Sequence, residues 1–207
     1  MASIKLKLPD VGGNPTFVEG KDSVVLIGAN GSGKTRMSIW FERNNQNFNF
    51  HRISAQKSLN MPTITRPSDL EKTQEAFFYG TINDNKDWLK RQGKVSGRWG
   101  GNPVIHLLND FSNLMEVLVT EEYEKSLQYR QEHKAGNNCF DNVTNLETIK
   151  KIWENIIANK TLSISAGKVE ASNKNSPKEK FNGAEMSDGE RAIFYFSAKL
   201  SVYQQTP

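Results

Sequence analysis

The sequence has a single cysteine and no long apolar run, and each shortage excludes a class of protein. Cys139 is the only cysteine among 207 residues, so an internal disulfide and a cysteine-based zinc site are both excluded. The apolar runs fall well short of the roughly 20 residues that span a bilayer. The N-terminus alternates like a strand and has no signal-peptide core. We therefore expect a cytoplasmic protein that has no membrane partner.

A strong excess of charge of one sign is also missing. The chain has 27 Lys and Arg residues against 23 Asp and Glu, which gives a net charge of +4 and an isoelectric point near 9.1. The basic residues are scattered, as on a solvated surface. Nucleic acid or another acidic partner is compatible with this composition but is not indicated by it. Apolar residues at 36% and charged residues at 24% are typical of a globular domain.

The order of patterns along the first quarter of the chain predicts an α/β domain with a parallel sheet. Residues 3–8 alternate like a strand. Residues 23–27 form a continuous apolar, β-branched run, which is typical of a buried central strand in a parallel sheet. A helix should follow from Lys34 to about Glu42. A second parallel strand at 51–55 would then complete a βαβ unit.

The rest of the chain predicts helices and one hairpin, within a single domain over residues 1–207 that carries a helical insertion at about 62–160. Apolar spacing and turn residues define these segments. They are helices over 69–79, 104–134, 144–159 and 188–203, a hairpin of 162–164 and 168–170 around Ala166 and Gly167, and loops over 93–103 and 172–180, the second mobile and Lys-rich.

One motif carries specific chemistry: Gly28-Ala29-Asn30-Gly31-Ser32-Gly33-Lys34-Thr35 matches G-x-x-x-x-G-K-[ST]. It follows a predicted strand and precedes a predicted helix, which is the context that the motif requires. In such loops backbone N–H groups and a helix N-terminus bind the triphosphate. Lys34 would bridge the β- and γ-phosphates as the catalytic residue, and the Thr35 hydroxyl would ligate Mg²⁺. A chance Gly-rich turn is the alternative, and the match of the whole motif in its proper context favours nucleotide binding.

A second motif, Met186-Ser187-Asp188-Gly189-Glu190-Arg191, stands near the C-terminus. The first motif resembles the Walker A loop of ABC-class ATPases, G-x-N-G-x-G-K-[ST], and the second resembles their signature, LSGGQ or LSxGE. The pair, in this order, is similar to the ABC/SMC/OLD group rather than to kinases or small GTPases. The stretch from Trp153 to Ala192 looks most like the AAA/OLD-type ATPases of prokaryotic anti-phage defence systems.

The resemblance implies a P-loop NTPase fold, with a mixed sheet flanked by helices, and an ATP sandwich between two subunits. In that arrangement each ATP lies on the Walker A loop of one subunit and beneath the signature of the other. Ser187, Gly189 and Glu190 would then belong to the site of the partner subunit's ATP, with Ser187 and the Gly189 N–H on the γ-phosphate. The chain should therefore form a homo-oligomer or pair with a partner subunit.

The signature has a simpler interpretation that stays open. Ser187-x-x-Glu190 is also a capping box before the apolar run Ala192-Ile193-Phe194. The family signature is itself a helix start, so the two interpretations are compatible.

The resemblance also implies a glutamine that touches Mg²⁺ and senses the γ-phosphate. Gln56, just after the possible second strand, is our candidate, ahead of Gln74 and Gln92. An ordinary surface role is the alternative for each of these side chains.

Two elements of the family pattern have no match in the sequence. In the family an apolar strand ending in Asp-Glu follows the signature helix, and a switch histidine follows that strand; the Asp helps to hold Mg²⁺ and the Glu polarises the attacking water. No such run follows Gly189, and His51, His106 and His133 all precede the signature. We therefore expect an ATPase head that is incomplete at its C-terminal end. It could be an expressed fragment, a truncated product, or half of a split enzyme whose second chain supplies Walker B.

Three functions follow from these patterns. The first is an ATPase head that dimerises on ATP and drives a conformational switch, in defence or a DNA-associated process. The second is a non-hydrolysing nucleotide-binding or scaffolding subunit that needs a second chain for turnover. The third, a small-molecule kinase, needs an arginine-bearing lid and an acceptor pocket that the sequence does not indicate. Adenine is implied by the resemblance, and no guanine-reading Asn-Lys-x-Asp is present.

Overall fold

A computed structural model describes residues 4–9, 12, 16–20, 23–45, 50–54, 57–136 and 143–204. Within these ranges the chain is a mixed α/β structure with two small antiparallel sheets. The strands are β1 (Ile4–Lys7), β2 (Phe17–Gly20), β3 (Lys160–Ser165), β4 (Lys168–Asn173) and β5 (Ser176–Asn182). The helices are α1 (Lys34–Asn44), α2 (Leu70–Tyr79), α3 (Lys86–Trp88), a π-helix (Leu89–Arg98), α4 (Phe111–Lys134), α5 (Asn145–Ile156), a 3₁₀ turn (Gly183–Glu185) and α6 (Asp188–Gln204).

The main core lies where α2, α4, α5 and α6 meet the sheet of β3, β4 and β5. Apolar side chains at helical spacing point into it from each helix, and burying each one contributes roughly 1.5–3 kcal/mol. None of the described helices is long and apolar enough to cross a membrane. The most deeply buried side chains of this core are Phe77, Phe111, Leu114, Ile149, Trp153, Leu162, Phe194 and Tyr195.

Local signals mark where two of the core helices begin and where one of them ends. The Asp69 carboxylate accepts a hydrogen bond from the Lys72 N–H at 2.9 Å, and α2 ends at Gly80, whose φ is 72°. Thr144 and Glu147 form a reciprocal capping box at the start of α5. Such caps satisfy backbone groups that a helix end leaves without partners. The predicted helices in these segments, and the last predicted helix, are confirmed.

The predicted hairpin is confirmed, and the predicted mobile loop after it was wrong. Ala166 and Gly167 turn the chain in the left-handed region between β3 and β4. The chain then returns as β5, with Phe181 opposite Ala171. An ion pair of 3.2 Å between Lys180 and Glu170 crosses these two strands. A polar, Lys-rich strand at the edge of a sheet has the same composition as a loop, because its outer face meets water.

The predicted parallel sheet was wrong for the residues that the structure describes. Residues 23–27 form no strand, and Val25, Leu26 and Ile27 are 77%, 43% and 94% exposed. The described part of the predicted second strand, 51–54, is also irregular, and parallel pairing is limited to a bridge between Lys57 and Leu108. A strand needs a neighbour to accept and donate hydrogen bonds. The described strands pair with one another and leave 23–27 without such a neighbour.

The segment before α4 also differs from its prediction. The predicted loop at 93–103 begins inside the π-helix, and the helix predicted from residue 104 begins at Phe111. Ile105 is 71% exposed, so it does not extend the apolar face of α4. The intervening residues form turns, in which the His106 N–H donates to the Asn102 carbonyl at 3.1 Å.

Candidate functional site

The predicted phosphate loop is an exposed turn whose glycines meet specific steric requirements. Gly31 and Gly33 have φ angles of 83° and 89°, in the region that L-residues other than glycine rarely adopt. A Cβ on either would meet nothing within 4 Å, so their backbone angles, and not space, require glycine. At Gly28 a Cβ would lie 2.5 Å from the Ser32 Oγ, so that this hydroxyl would have to rotate away. The motif glycines therefore permit the curve of the loop.

Lys34 folds back over this loop. Its Nζ donates hydrogen bonds to the carbonyl oxygens of Gly28 at 2.5 Å and Ala29 at 2.7 Å. The Ser32 N–H closes the turn by donating to the same Ala29 carbonyl at 3.2 Å. The ammonium charge is thus held at the loop by groups that a stronger anionic acceptor could replace.

The N-terminus of α1 leaves polar groups open to a ligand. Gly33 caps the helix without a side-chain hydrogen bond, and the first turn contains no acidic residue. The first backbone bond of the helix runs from the Met37 N–H to the Gly33 carbonyl at 2.9 Å. Among the described residues the N–H groups of Lys34 and Thr35 meet no backbone carbonyl. These donors and the helix dipole favour a bound anion.

The other residues predicted around the nucleotide lie in different surroundings. Asn30 is exposed on the loop, and Thr35 is exposed with its carbonyl accepting from the Ser38 hydroxyl at 2.8 Å. Gln56 lies outside the described residues. Gln74 lies on α2 and Gln92 on the π-helix. No hydrogen bond joins either of these described glutamines to the phosphate loop.

The second motif forms the capping box that the sequence allowed. The Ser187 N–H and Oγ both donate to the Glu190 Oε2, at 2.9 and 3.0 Å. In return the Glu190 N–H donates to the Ser187 Oγ at 3.4 Å. The first turn of α6 is therefore closed by its own side chains.

Glu190 also makes contacts with the core of the protein, whereas its neighbours face solvent. Lys160 donates to the Glu190 Oε1 at 2.6 Å, and the Trp153 Nε1 donates to the Glu190 carbonyl at 3.1 Å. Burial opposes ionisation, but the hydrogen bonds from Lys160 and Ser187 outweigh it and lower the pKa of Glu190. Ser187 is exposed, and a Cβ on Gly189 would meet nothing within 4 Å.

The two motifs are separate within the described chain. The phosphate-loop helix α1 contacts β1, whereas α6 packs against α4 and α5. Across the part of the chain that the structure describes, no hydrogen bond or ion pair joins residues 28–35 to residues 187–190. Each motif therefore presents its own surface.

The structure reveals a buried polar cluster that the sequence analysis did not predict. Tyr195 donates to the Asp110 Oδ1 at 2.7 Å, and the Arg98 Nη2 lies 3.3 Å from the Asp110 Oδ2, which Lys199 also contacts. The His51 Nε2 lies 3.1 Å from the Arg98 Nη2 and 3.4 Å from the Lys199 Nζ. Since a guanidinium only donates, the His51 Nε2 is the acceptor, and a neutral imidazole carries its proton on Nδ1.

Burial governs the ionisation of this cluster. It lowers the pKa of Lys199 to about 7, with further lowering by Arg98. Burial, together with Arg98, Lys199 and Lys94, holds the pKa of His51 far below its ordinary value. One sequence signal could have found the cluster: Tyr195 and Lys199 are four residues apart on α6, in a stretch whose other polar residues are the small serines Ser197 and Ser201. The cluster links α6 to the π-helix and to the start of α4.

No protein-family model, no curated protein and no solved structure matches this chain. The geometry of its own residues therefore carries the functional argument. No group of three or more His, Cys, Asp or Glu in the described ranges could hold a metal ion.

Proposed function

We propose that this chain binds Mg-ATP through residues 28–35, as the head of an ABC-type P-loop ATPase. The conformation of the loop carries the proposal. Gly31 and Gly33 are left-handed within the motif, and the Lys34 ammonium lies over the carbonyls of Gly28 and Ala29. A Gly-rich turn that matches the motif by chance is not expected to combine these features with open N–H donors at a helix start.

The arrangement suggests what each group does when the triphosphate arrives. The open N–H groups at the start of α1 donate hydrogen bonds to phosphate oxygens, and Lys34 exchanges its two carbonyl contacts for charged oxygens. Hydrogen bonds between ions are roughly twice as strong as neutral ones, so this exchange favours binding. The Thr35 hydroxyl would be a ligand of Mg²⁺, whose charge would offset that of the phosphates.

Calorimetric titration with Mg-ATP tests the proposal. Wild type should bind, and Lys34→Ala should bind about ten- to a hundredfold more weakly, because a charge-assisted hydrogen bond contributes about 1.5–3 kcal/mol. Lys72→Ala is the matched control, since Lys72 is an exposed lysine on α2, and it should bind like wild type. Equal binding by Lys34→Ala, or no binding by any form, would contradict the proposal.

We further propose that Ser187 and the Gly189 N–H contact ATP held by a partner subunit, so that Mg-ATP drives dimerisation. The exposure of both residues and the open space at Gly189 support this role.

Gly189→Asp fits the free subunit and adds a charge that a helix N-terminus favours, but it would repel a triphosphate. Light scattering with Mg-ATP should show dimers for wild type and for Gly189→Ala, and monomers for Gly189→Asp. Dimers of Gly189→Asp would exclude this signature role.

A second candidate is a non-hydrolysing nucleotide-binding or scaffolding subunit that acts with another chain. The observation in its favour is the apolar run Val25-Leu26-Ile27, exposed directly before the phosphate loop. Exposed apolar, strand-forming residues are typical of a surface that a partner covers.

Steady-state phosphate release separates the candidates. Turnover by this chain alone supports the ATPase, and ATP binding without turnover supports the subunit. The setting in anti-phage defence stays a prediction.

A further inference from the structure

A pocket of about 540 Å³ lies between the C-terminal half of α1 and the π-helix. This volume is typical of small-molecule and nucleotide-sized sites. Its lining is strongly basic: Arg43 comes from α1, and Lys90, Arg91 and Lys94 come from the π-helix. Glu42 is the one acidic residue among those that line the pocket.

The charge of Glu42 is already matched by cations on one side of the pocket. Its carboxylate oxygens lie 3.3 Å from the Arg52 Nε and 3.0 Å from the Lys94 Nζ. The exposed side chains of Arg43, Lys90 and Arg91 form no ion pair with any described residue. Three uncompensated positive charges therefore surround one pocket, and such a concentration attracts phosphate.

An aromatic ring lies beside these charges. Trp88 lines the pocket and is half-buried. Its ring packs on the backbone of Gly93, where a Cβ would lie 3.0 Å from the Trp88 Cζ3. Trp99 also lines the pocket, but it is buried, and the Arg52 guanidinium covers its ring at 3.7 Å. Trp88 is thus the tryptophan of this pocket that can take a further stacking partner.

The element that positions these side chains is itself unusual. Residues 89–98 form a ten-residue π-helix, whereas π-helical geometry is rare, mostly confined to single turns and frequent at functional sites. Its i to i+5 spacing places Gly93 one turn after Trp88. The same wide turns direct Lys90, Arg91 and Lys94 toward the end of α1.

We propose that this pocket binds single-stranded nucleic acid, with phosphates on Arg43, Lys90 and Arg91 and a base stacked on Trp88. Cationic grooves with an aromatic platform are how proteins bind single strands. A duplex keeps its bases stacked inside and cannot offer one to Trp88. An acidic peptide would satisfy the charges but would leave the ring without a stacking partner.

The pocket is distinct from the phosphate loop. Lys34 and Arg43 are nine residues apart on α1, which corresponds to about 14 Å along the helix. The two sites can therefore be filled at the same time, and the proposal does not depend on ATP binding.

Fluorescence anisotropy of a labelled oligothymidylate of about twelve nucleotides, at about 50 mM salt, tests the site. Trp88→Ala should weaken binding about tenfold, because a stacked base is lost. Lys90→Ala/Arg91→Ala should also weaken it and should reduce the slope of log affinity against log salt by about 1.4, or about 0.7 for each phosphate contact. Both variants should keep the circular dichroism spectrum of wild type.

Matched controls separate this site from charge alone and from the phosphate loop. Lys174→Ala/Lys178→Ala removes two exposed lysines on or beside β4 and β5 and should bind the oligonucleotide like wild type. Lys34→Ala should also keep full oligonucleotide binding, even though it binds Mg-ATP more weakly.

Several results would overturn the proposal. These are no oligonucleotide binding by wild type, equal losses in the Lys174→Ala/Lys178→Ala control, loss of binding in Lys34→Ala, or displacement of the oligonucleotide by a duplex or a polyglutamate peptide at equal charge. Each would assign the basic residues to another partner or to none.

Discussion

Helix α1 begins in the first sequence motif and helix α6 begins in the second, yet the two helices pack to very different depths. On α1 the buried apolar side chains are Ile39 and Phe41, at its C-terminal half. On α6 the side chains of Phe194, Tyr195 and Ala198 have no exposed surface. Helix α1 contributes little to the main core, whereas α6 is part of it.

The N-termini of the same two helices also differ: that of α6 is closed by its own side chains, whereas that of α1 is open to a ligand. Ser187 and Glu190 satisfy the first turn of α6 with their own side chains. Gly33 offers α1 no side-chain cap, and Lys34 is held by loop carbonyls. A helix start that is closed internally serves folding first, and one that is left open has donors to give to a ligand.

The largest expected contrast is between two tryptophans. Trp153→Ala should lower the free energy of unfolding by about 3–5 kcal/mol, because the side chain is fully buried and its Nε1 bonds to the Glu190 carbonyl. Trp40→Ala on α1 should cost only about 1 kcal/mol, since that side chain is half-buried. Urea denaturation measures both. Equal losses would show that the two regions share one core after all.

The buried polar cluster that contains His51 and Lys199 should make the free energy of unfolding depend on pH. The folded-state pKa values of His51 and Lys199 are lowered, so the unfolded chain binds more protons, below about pH 6.5 for His51 and between about 7 and 10.5 for Lys199. The free energy of unfolding should therefore rise with pH in both windows, by at most about 1.4 kcal/mol per pH unit for each group. Arg98 acts on both groups, and Asp110 pairs with Lys199. Urea midpoints measured from pH 5.5 to 9 report this slope.

The control for this pH dependence is a second histidine. His51→Leu should flatten the slope below pH 6.5, whereas His133→Leu, on the exposed end of α4, should leave it as in wild type. A slope unchanged in His51→Leu would place the responsible protons elsewhere.

The two helix starts give a smaller contrast. Ser187→Ala should cost about 1 kcal/mol, because it removes the cap of α6. Ser32→Ala should change stability by less than about 0.5 kcal/mol, because the Ser32 hydroxyl caps nothing in α1. Thermal unfolding of both variants without nucleotide checks this. A loss at Ser32 as large as that at Ser187 would mean that the phosphate loop is braced internally.

The smallest expected effect tests whether residues 23–27 are exposed, as in the structure, or form a buried strand, as the sequence predicts. Ile27→Ala should change the free energy of unfolding by less than about 0.5 kcal/mol, because the side chain is almost fully exposed. Ile149→Ala, at a fully buried position on α5, should cost about 2–5 kcal/mol in the same urea titration. A loss above about 2 kcal/mol for Ile27→Ala would instead support the buried strand that the sequence predicts.

Elements with local signals could be predicted from the sequence. The ends of α2 and α5 follow from Asp69, Gly80 and the Thr144–Glu147 box, and the hairpin turn follows from Ala166 and Gly167. The capping alternative at Ser187 is likewise readable from two residues three positions apart. Such signals involve hydrogen bonds or backbone angles within a few residues.

Elements that need distant partners could not be predicted from the sequence. The run at 23–27 has the composition of a central strand, but a strand exists only beside another strand. β5 has the composition of a loop, and its pairing with β4 makes it a strand. Lys199 and Asp110 are 89 residues apart, and no local pattern links them.

The sequence by itself determined where the loop of residues 28–35 can curve, because Gly31 and Gly33 permit left-handed backbone angles. It also determined most helices, through apolar spacing and caps. Only the tertiary structure decided that Val25 to Ile27 are exposed, that a lysine of α6 is buried against Asp110, and that basic residues of α1 and the π-helix share one pocket. Backbone angles and caps depend on neighbours in the chain, whereas exposure and charge clustering depend on which distant segments meet.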